Sequence, residues 1–333
     1  MENKHEAWEL AQIQTLSLNS KINMTRQRVK GWYEHWDGNV YVSISGGKDS
    51  QVLAHIVKEM YPDVPLIFIN TGLEYNSVRL KGTELADVVL RPEMRFDEVI
   101  KKYGYPVISK DVAQTIAGCQ IRKSKGLTAP TYRMQKLEGT LIDKNTGKLS
   151  AYNMPKYKYL LDAPFRISHK CCDVMKKKPS KEYEKRYESK PFLGTMATES
   201  RLRKSKWIKY GCNAFEQNRP TSQPLSFWTE QDILLYIKEN SLQIAEIYGE
   251  VFGDDGNLKT TGVSRTGCVF CMFGIGQDPE RFLRLKTEEP VKYDYIMRGG
   301  KFDETGMWVP DNGLGFKFVI DWLNEHGNME IKY

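Results

Sequence analysis

Short β-branched runs alternate with longer helix-forming stretches over the first hundred residues. Val40-Tyr41-Val42-Ser43-Ile44 has the composition of a strand, and after a glycine pair the sequence favours helix through Met60. Pro65-Leu66-Ile67-Phe68-Ile69-Asn70 predicts a second buried strand, Asp87-Val88-Val89-Leu90 a third, and Pro106-Val107-Ile108-Ser109 a fourth. Strands separated by helices in this way predict an α/β fold built on a doubly wound, mostly parallel sheet. Upstream, Leu10, Ile13, Leu16, Ile22, Met24, Val29 and Trp32 recur at mixed helical spacing, which predicts one or two helices between Glu6 and His35 covering the sheet edge.

The pattern weakens between Lys123 and Lys158, where Lys, Gly, Asn, Pro and Tyr dominate. Within that stretch Asp143-Lys144-Asn145-Thr146-Gly147-Lys148 has the composition of a hairpin tip or lid. Pro191-Phe192-Leu193-Gly194-Thr195 predicts a further strand ending in glycine, followed by the basic run Glu199 to Lys206. Thr229 and Asp232 open a helix in a capping-box arrangement. A charged helix at Glu280 to Lys286 and an amphipathic helix around Phe316 to Asn324 complete a helical, loop-rich C-terminal region.

With 333 residues, 40% of them hydrophobic, the chain buries a substantial core. A net charge of +7 is compatible with anionic substrates or nucleic acid without selecting either. Residues Met1 to Ser20 lack the apolar run of a secretory signal, and no stretch has the length of a transmembrane helix. A cytoplasmic protein with no membrane partner is therefore expected. Its six cysteines are then metal or redox residues before they are a disulfide framework.

The strand-turn-helix around Ser45-Gly46-Gly47-Lys48-Asp49-Ser50 carries the strongest chemical signal. Two glycines let the backbone approach an oxyanion, the helix amino end points its N–H groups at it, and Lys48, Ser45 and Ser50 add donors. The spacing is not that of the Walker A loop, which has four residues between its first glycine and Gly-Lys-Ser/Thr. Phosphate or pyrophosphate is the expected ligand.

Cys171-Cys172 and Cys268-Val269-Phe270-Cys271 form two close pairs. Adjacent cysteines stand about 3.8 Å apart at Cα, shorter than the usual disulfide span, and a shared metal removes that strain. Four thiolates suit zinc or a 4Fe-4S cluster, and a bare Cys-Cys pair is a poor zinc knuckle, which favours iron and sulfur. Cys119 and Cys212 stand alone, each a small hydrophobe or a sulfur carrier if it reached the nucleotide.

Ser45 to Ser50 resembles the PP-loop of the ATP pyrophosphatase and PAPS reductase superfamily. On four blocks the chain is identified as a member of the PAPS reductase family within the adenine nucleotide alpha-hydrolases: the PP-loop, Asn70-Thr71-Gly72-Leu73-Glu74, Gly194 to Arg203, and Gln223 to Thr229. The resemblance implies a PP-loop nucleotide-binding domain at residues 39–240, between a helical segment at 1–38 and a C-terminal region with the Cys-x2-Cys pair at 241–333. It further implies ATP or a related adenine nucleotide, with Mg²⁺, held by Ser45, Gly46, Gly47, Lys48, Asp49, Ser50, Thr71, Gly72, Glu74, Gly194, Thr195, Ser200 and Arg203. Lys48 and Asp49 take catalytic roles.

Cys171, Cys172, Cys268 and Cys271 resemble the 4Fe-4S ligands of assimilatory APS reductases and of the ATP pyrophosphatase component of DNA phosphorothioation systems. A sulfur donor such as a cysteine desulfurase is the implied partner, and if the acceptor is nucleic acid, Arg201, Arg203, Lys204, Lys206 and Lys209 would contact its backbone phosphates. Two departures stand out. The reductases have Gly-x-Arg where this chain has Gly194-Thr195-Met196, and they carry a C-terminal Glu-Cys-Gly-Leu-His segment, whereas no cysteine lies beyond Cys271 here. A thiosulfonate mechanism needs a mobile cysteine. The expected activity is therefore ATP pyrophosphatase chemistry in sulfur transfer, with APS or PAPS reduction by another cysteine, or a non-catalytic nucleotide- and cluster-binding subunit, as alternatives.

Overall fold

The structure is a computed structural model that describes residues 3–127, 129, 131–276 and 278–333. It divides into two compact units, each assembled from two stretches of chain: residues 1–91 with 179–267, and residues 92–178 with 268–333.

A six-stranded sheet forms the first unit. Its strand order is Val88–Leu90, Leu66–Ile69, Val40–Ile44, Lys190–Leu193, Thr221–Ser222, Asn213–Ala214. All neighbouring pairs are parallel except the last, which is antiparallel. The expected α/β class with a mostly parallel sheet is what the chain adopts. Val40–Ile44 is central, and its near-continuous apolar composition follows from burial on both faces.

Helix Lys48–Met60 returns from the end of that strand and presents Val52, Leu53, Ile56 and Val57 to the core, at the 3.6-residue spacing of a buried stripe. Helices Ala7–Gln14 and Leu18–His35 precede the sheet, and Val29 and Trp32 of the second are fully buried in the same apolar cluster as Phe192, Phe227 and Trp228. Helix Glu230–Glu239 opens on the anticipated capping box of Thr229 and Asp232. The Asp232 carboxylate also receives the buried Lys21 ammonium on both oxygens at 2.8 Å. That pair fastens the first long helix to a helix two hundred residues away.

The second unit is mainly helical. Its core gathers Tyr105, Phe165, Phe282, Phe316, Val319 and Leu323, and the Tyr105 hydroxyl donates to the Leu314 carbonyl at 2.8 Å. Val107–Ile108, expected to extend the large sheet, lies here instead and pairs in parallel with Met272–Phe273. At two residues, with Ile108 at a positive φ of 65°, the segment turns out of extended conformation too soon to continue a ladder. Among the described residues no helix is long and apolar enough to cross a membrane.

Removing one member of a buried ion pair strands the other. Asp232→Ala is expected to cost about 3–5 kcal/mol in urea unfolding, with the cap of its helix lost at the same time.

Candidate functional site

The parallel sheet reverses its winding between Val40–Ile44 and Lys190–Leu193, because the chain leaves the first strand towards Leu66–Ile69 and later returns on the opposite side. Open α/β sheets hold ligands at such a point, beyond the carboxyl ends of the strands. Ser45 to Ser50 lies there. Gly46 takes φ +75°, and a Cβ at that position would come 2.1 Å from the Val78 carbonyl oxygen, so the bend is pressed against helix Asn76–Leu85. Gly47 is the N-cap of Lys48–Met60 and offers no side-chain cap. The first amides of that helix therefore have no capping side chain, the condition under which a helix amino end accepts an anion.

The loop is tied across its base. Ser50 Oγ donates to the Gly47 carbonyl at 2.8 Å and accepts from the Ser45 amide at 3.0 Å, while Ser45 Oγ lies 3.1 Å from it. Gly194 closes the far side, where a Cβ would stand 3.0 Å from the Asp49 carbonyl and from Ser50 Cα. Thr195 donates to Gln223 Oε1 at 3.1 Å. After the second strand, the Thr71 hydroxyl donates to the buried Glu74 carboxylate at 2.7 Å, and the Gly72 amide donates to Asn70. Ser200 caps helix Arg201–Tyr210.

Lys48 is buried, and its ammonium donates to Ser264 O at 2.7 Å and to Glu230 Oε1 at 3.0 Å, 5.5 Å from the Tyr248 ring centre. Burial holds the Tyr248 phenol up at about 12, and its oxygen sits 2.6 Å from Thr266 Oγ1. Glu199 accepts from the Met196 amide at 2.8 Å and pairs with both Arg203 and Arg265, the latter at 2.7 Å. Asp49 faces this cationic wall. Its Oδ1 is buried with no hydrogen-bond partner among the described residues. Desolvation raises its pKa against the lowering pull of Lys48, Arg265 and Arg203.

Glu199, Glu230, Tyr248, Arg265 and Thr266 are the residues that sequence reading missed. Ser264-Arg265-Thr266-Gly267 reads as a polar lead-in to a cysteine, and no local pattern announces that it returns to the first loop. The helix Arg201–Tyr210 is less open than its charge suggests: Arg203 is held by Glu199 and Lys206 by Thr221 at 2.9 Å, whereas Arg201, Lys204 and Lys209 are exposed.

The four paired cysteines all belong to the second unit. Cys171 and Cys172 are 4.0 Å apart at sulfur and are followed by a π-helical turn, Asp173–Lys177. Cys172 is drawn down to about 6 by the hydrogen bond from Cys171, with Lys110, Lys176 and Lys177 assisting against burial. Cys171 is pushed up, first by that same bond, then by burial and by the charges of Cys172, Cys271 and Cys268. Burial and the charge of Cys268 raise Cys271 to about 11, while the Phe273 amide donates to its sulfur at 3.4 Å. The two pairs are thus close enough to shift one another's ionisation. Among the described residues no group of three or more His, Cys, Asp and Glu side chains is arranged to hold a metal ion. Cys119 and Cys212 are core residues whose thiols burial pushes up.

The family model of the phosphoadenosine phosphosulfate reductase domain matches residues 39–128 and 131–272. The chain belongs to that family. It is 26% identical over 122 residues to an adenosine 5'-phosphosulfate reductase of Staphylococcus epidermidis, a match covering 34% of this chain and 49% of that protein. It is 23% identical over 291 residues to an uncharacterized protein of Methanocaldococcus jannaschii, covering 84% of this chain and 54% of that one. The chain spans about half the length of the curated relatives it matches. Among solved structures, a phosphoadenylyl-sulfate (PAPS) reductase from Candida auris in phosphate complex superposes at TM-score 0.36 and 16% identity, over 70% of this chain and 91% of that one. That score is too low to bear on function.

Because Asp49 titrates higher in the folded state than in the unfolded one, the native protein binds more protons and loses stability as pH rises. Asp49→Asn should raise the urea midpoint at pH 7. The gain should be full above the raised folded pKa and vanish below the unfolded carboxylate pKa; an unchanged midpoint at pH 7 would show that the carboxylate is not desolvated.

Proposed function

We propose that the chain binds ATP and Mg²⁺ at the Ser45 to Ser50 bend and cleaves the nucleotide between its α- and β-phosphates, adenylylating an acceptor for sulfur transfer. The observation that carries this reading is the helix amino end without a capping side chain, behind two closely packed glycines at the switch point of the parallel sheet. Backbone donors fixed in place need no reorganisation as negative charge develops on a leaving pyrophosphate. Ser45 and Ser50 add hydroxyls at the same bend.

An acceptor oxygen attacks the α-phosphorus, the bond to the bridging oxygen breaks with its electron pair, and pyrophosphate departs. Sulfur then displaces AMP from the activated acceptor. Lys48 is the natural cation for the leaving group, exchanging Glu230 and Ser264 for phosphate oxygens when nucleotide enters. Arg203 and Arg265, gathered by Glu199, supply the positive charge that the Gly194-Thr195-Met196 block lacks. Thr71, Gly72 and Glu74 extend the nucleotide site from the second strand, with Gly194, Thr195 and Ser200 on the opposite side. The buried, unsatisfied Asp49 oxygen fits a contact to Mg²⁺, whose charge would neutralise the β- and γ-phosphates.

Cys171, Cys172, Cys268 and Cys271 are the residues that would hold a 4Fe-4S cluster, the side chains drawing together when it binds: all four belong to one unit, Lys110, Lys176 and Lys177 help to lower the Cys172 thiol, and the Cys271 sulfur accepts the Phe273 N–H. Bound there, a cluster would supply a sulfur-handling or loop-fixing centre. Reduction of APS or PAPS by another cysteine is disfavoured because Cys119 and Cys212 are core side chains. A sulfur donor protein is the remaining partner that this chemistry requires.

With ATP labelled at the α- or γ-phosphate, the protein and Mg²⁺ should yield AMP and pyrophosphate, slowly where water is the acceptor. Lys48→Met should lower that rate by about 10²-fold or more; ADP and orthophosphate as the products would overturn the assignment. Anaerobic purification should give brown protein with about four iron and four sulfide per chain, lost in Cys172→Ser. A colourless protein with one zinc would replace the cluster by that metal.

A further inference from the structure

Charge is distributed unevenly along this chain. Residues 121–158 carry nine Lys and Arg against two Asp and Glu, a net of +7, and +7 is also the net charge of all 333 residues. The rest of the protein is therefore neutral in sum. Within the segment, Lys136 is neutralised by Asp111 and Lys123 pairs with Asp162. Among the described residues no ion pair engages Lys144, Lys148, Lys156 or Lys158, and all four are exposed. Concentrated like charge of this kind opposes folding by self-repulsion and is relieved by a polyanion.

The segment is also built, despite its loop-like composition. Asp143 Oδ1 accepts from the amides of Asn145 at 2.8 Å and Thr146 at 3.1 Å, and the Gly147 amide donates to the Asp143 carbonyl, so Lys144 and Lys148 sit on a fixed turn. Asn153 bonds both backbone groups of Leu141 and closes the hairpin base. Two exposed aromatic rings from different parts of the segment each approach one buried ammonium. Tyr132 and Tyr152 have ring centres 5.7 and 6.0 Å from Lys136 Nζ, itself held by both Asp111 oxygens at 2.8 Å. Their relative exposures of 59% and 66% leave the rings available to a partner.

Exposed cations for phosphates and open aromatic rings for bases, carried on one short stretch of chain, are the composition of a single-strand platform, because every base has a face to stack whatever its sequence. An amphipathic helix lying on a membrane segregates its apolar and cationic faces; here exposed Ile142, Leu149 and Tyr152 are interspersed with Lys144 and Lys148 along one hairpin. We infer that this surface of the second unit binds single-stranded nucleic acid, with phosphates on Lys144, Lys148, Lys156 and Lys158 and bases on Tyr132 and Tyr152. The inference stands apart from the ATP chemistry, since it concerns binding without turnover.

Fluorescence anisotropy with labelled single-stranded DNA and RNA, over a salt series without ATP, tests it on the whole protein. Lys144→Glu with Lys148→Glu should weaken binding at least about tenfold and reduce the salt slope by roughly 1.4, two phosphate contacts at 0.7 each. Tyr132→Ala with Tyr152→Ala should weaken it by about tenfold or more with the slope unchanged. Circular dichroism of each variant controls for folding. Three results would overturn the assignment: no binding at low salt, an equal loss in Lys204→Glu with Lys209→Glu, or capture by phosphatidylserine vesicles and not by nucleic acid. Duplex binding indifferent to the tyrosines would overturn the single-strand reading as well.

Discussion

No side chain fits at position 46. The backbone there runs left-handed and packs closely on the Val78 carbonyl, and that close approach fixes the bend from which helix Lys48–Met60 starts after the strand Val40–Ile44. Everything polar around the bend is arranged to suit this packing. Ser50 bridges the loop from beneath, Gly194 allows the neighbouring strand end to draw close, and the buried stripe of the helix locks its axis to the sheet. The direction of the amide donors is thus set by apolar packing, which is stiffer than any network of exposed hydrogen bonds.

The second constraint is electrostatic. Three acidic residues, Asp49, Glu199 and Glu230, stand among Lys48, Arg203 and Arg265, and the pairing is uneven. Glu199 holds two guanidinium groups and Lys48 is shared between a carboxylate and a carbonyl, while one Asp49 oxygen is buried unsatisfied. Groups left in such a state cost stability, and native proteins tolerate that cost mainly where a ligand completes the set.

Sequence made legible whatever depends on local pattern. The strand-turn-helix of Ser45 to Ser50, the Thr229 cap and the membership in the PAPS reductase family could all be read from neighbouring residues. The Glu199, Glu230 and Arg265 arrangement could not, because its members come from distant stretches and each looks like an ordinary surface charge in isolation. Val107–Ile108 shows the complementary limit: its composition is that of a buried strand, but which sheet it joins is decided by Met272–Phe273, more than 150 residues further on. The turn at Asp143 to Lys148 was recognisable, whereas the approach of both Tyr132 and Tyr152 to Lys136 depends on tertiary packing.

The interleaving of the two units governs how the chain is made. Its parallel sheet lacks two interior positions until Lys190–Leu193 and Thr221–Ser222 have been synthesised, and the second unit waits for Phe282 and Phe316 to complete its core. Emerging from the ribosome, residues 1–91 therefore present a half-sheet with the unpaired edge of Val40–Ile44 exposed, while residues 92–178 start a different core. Neither half can finish before the other has begun, so a truncation between them would liberate an aggregation-prone fragment and no independent domain.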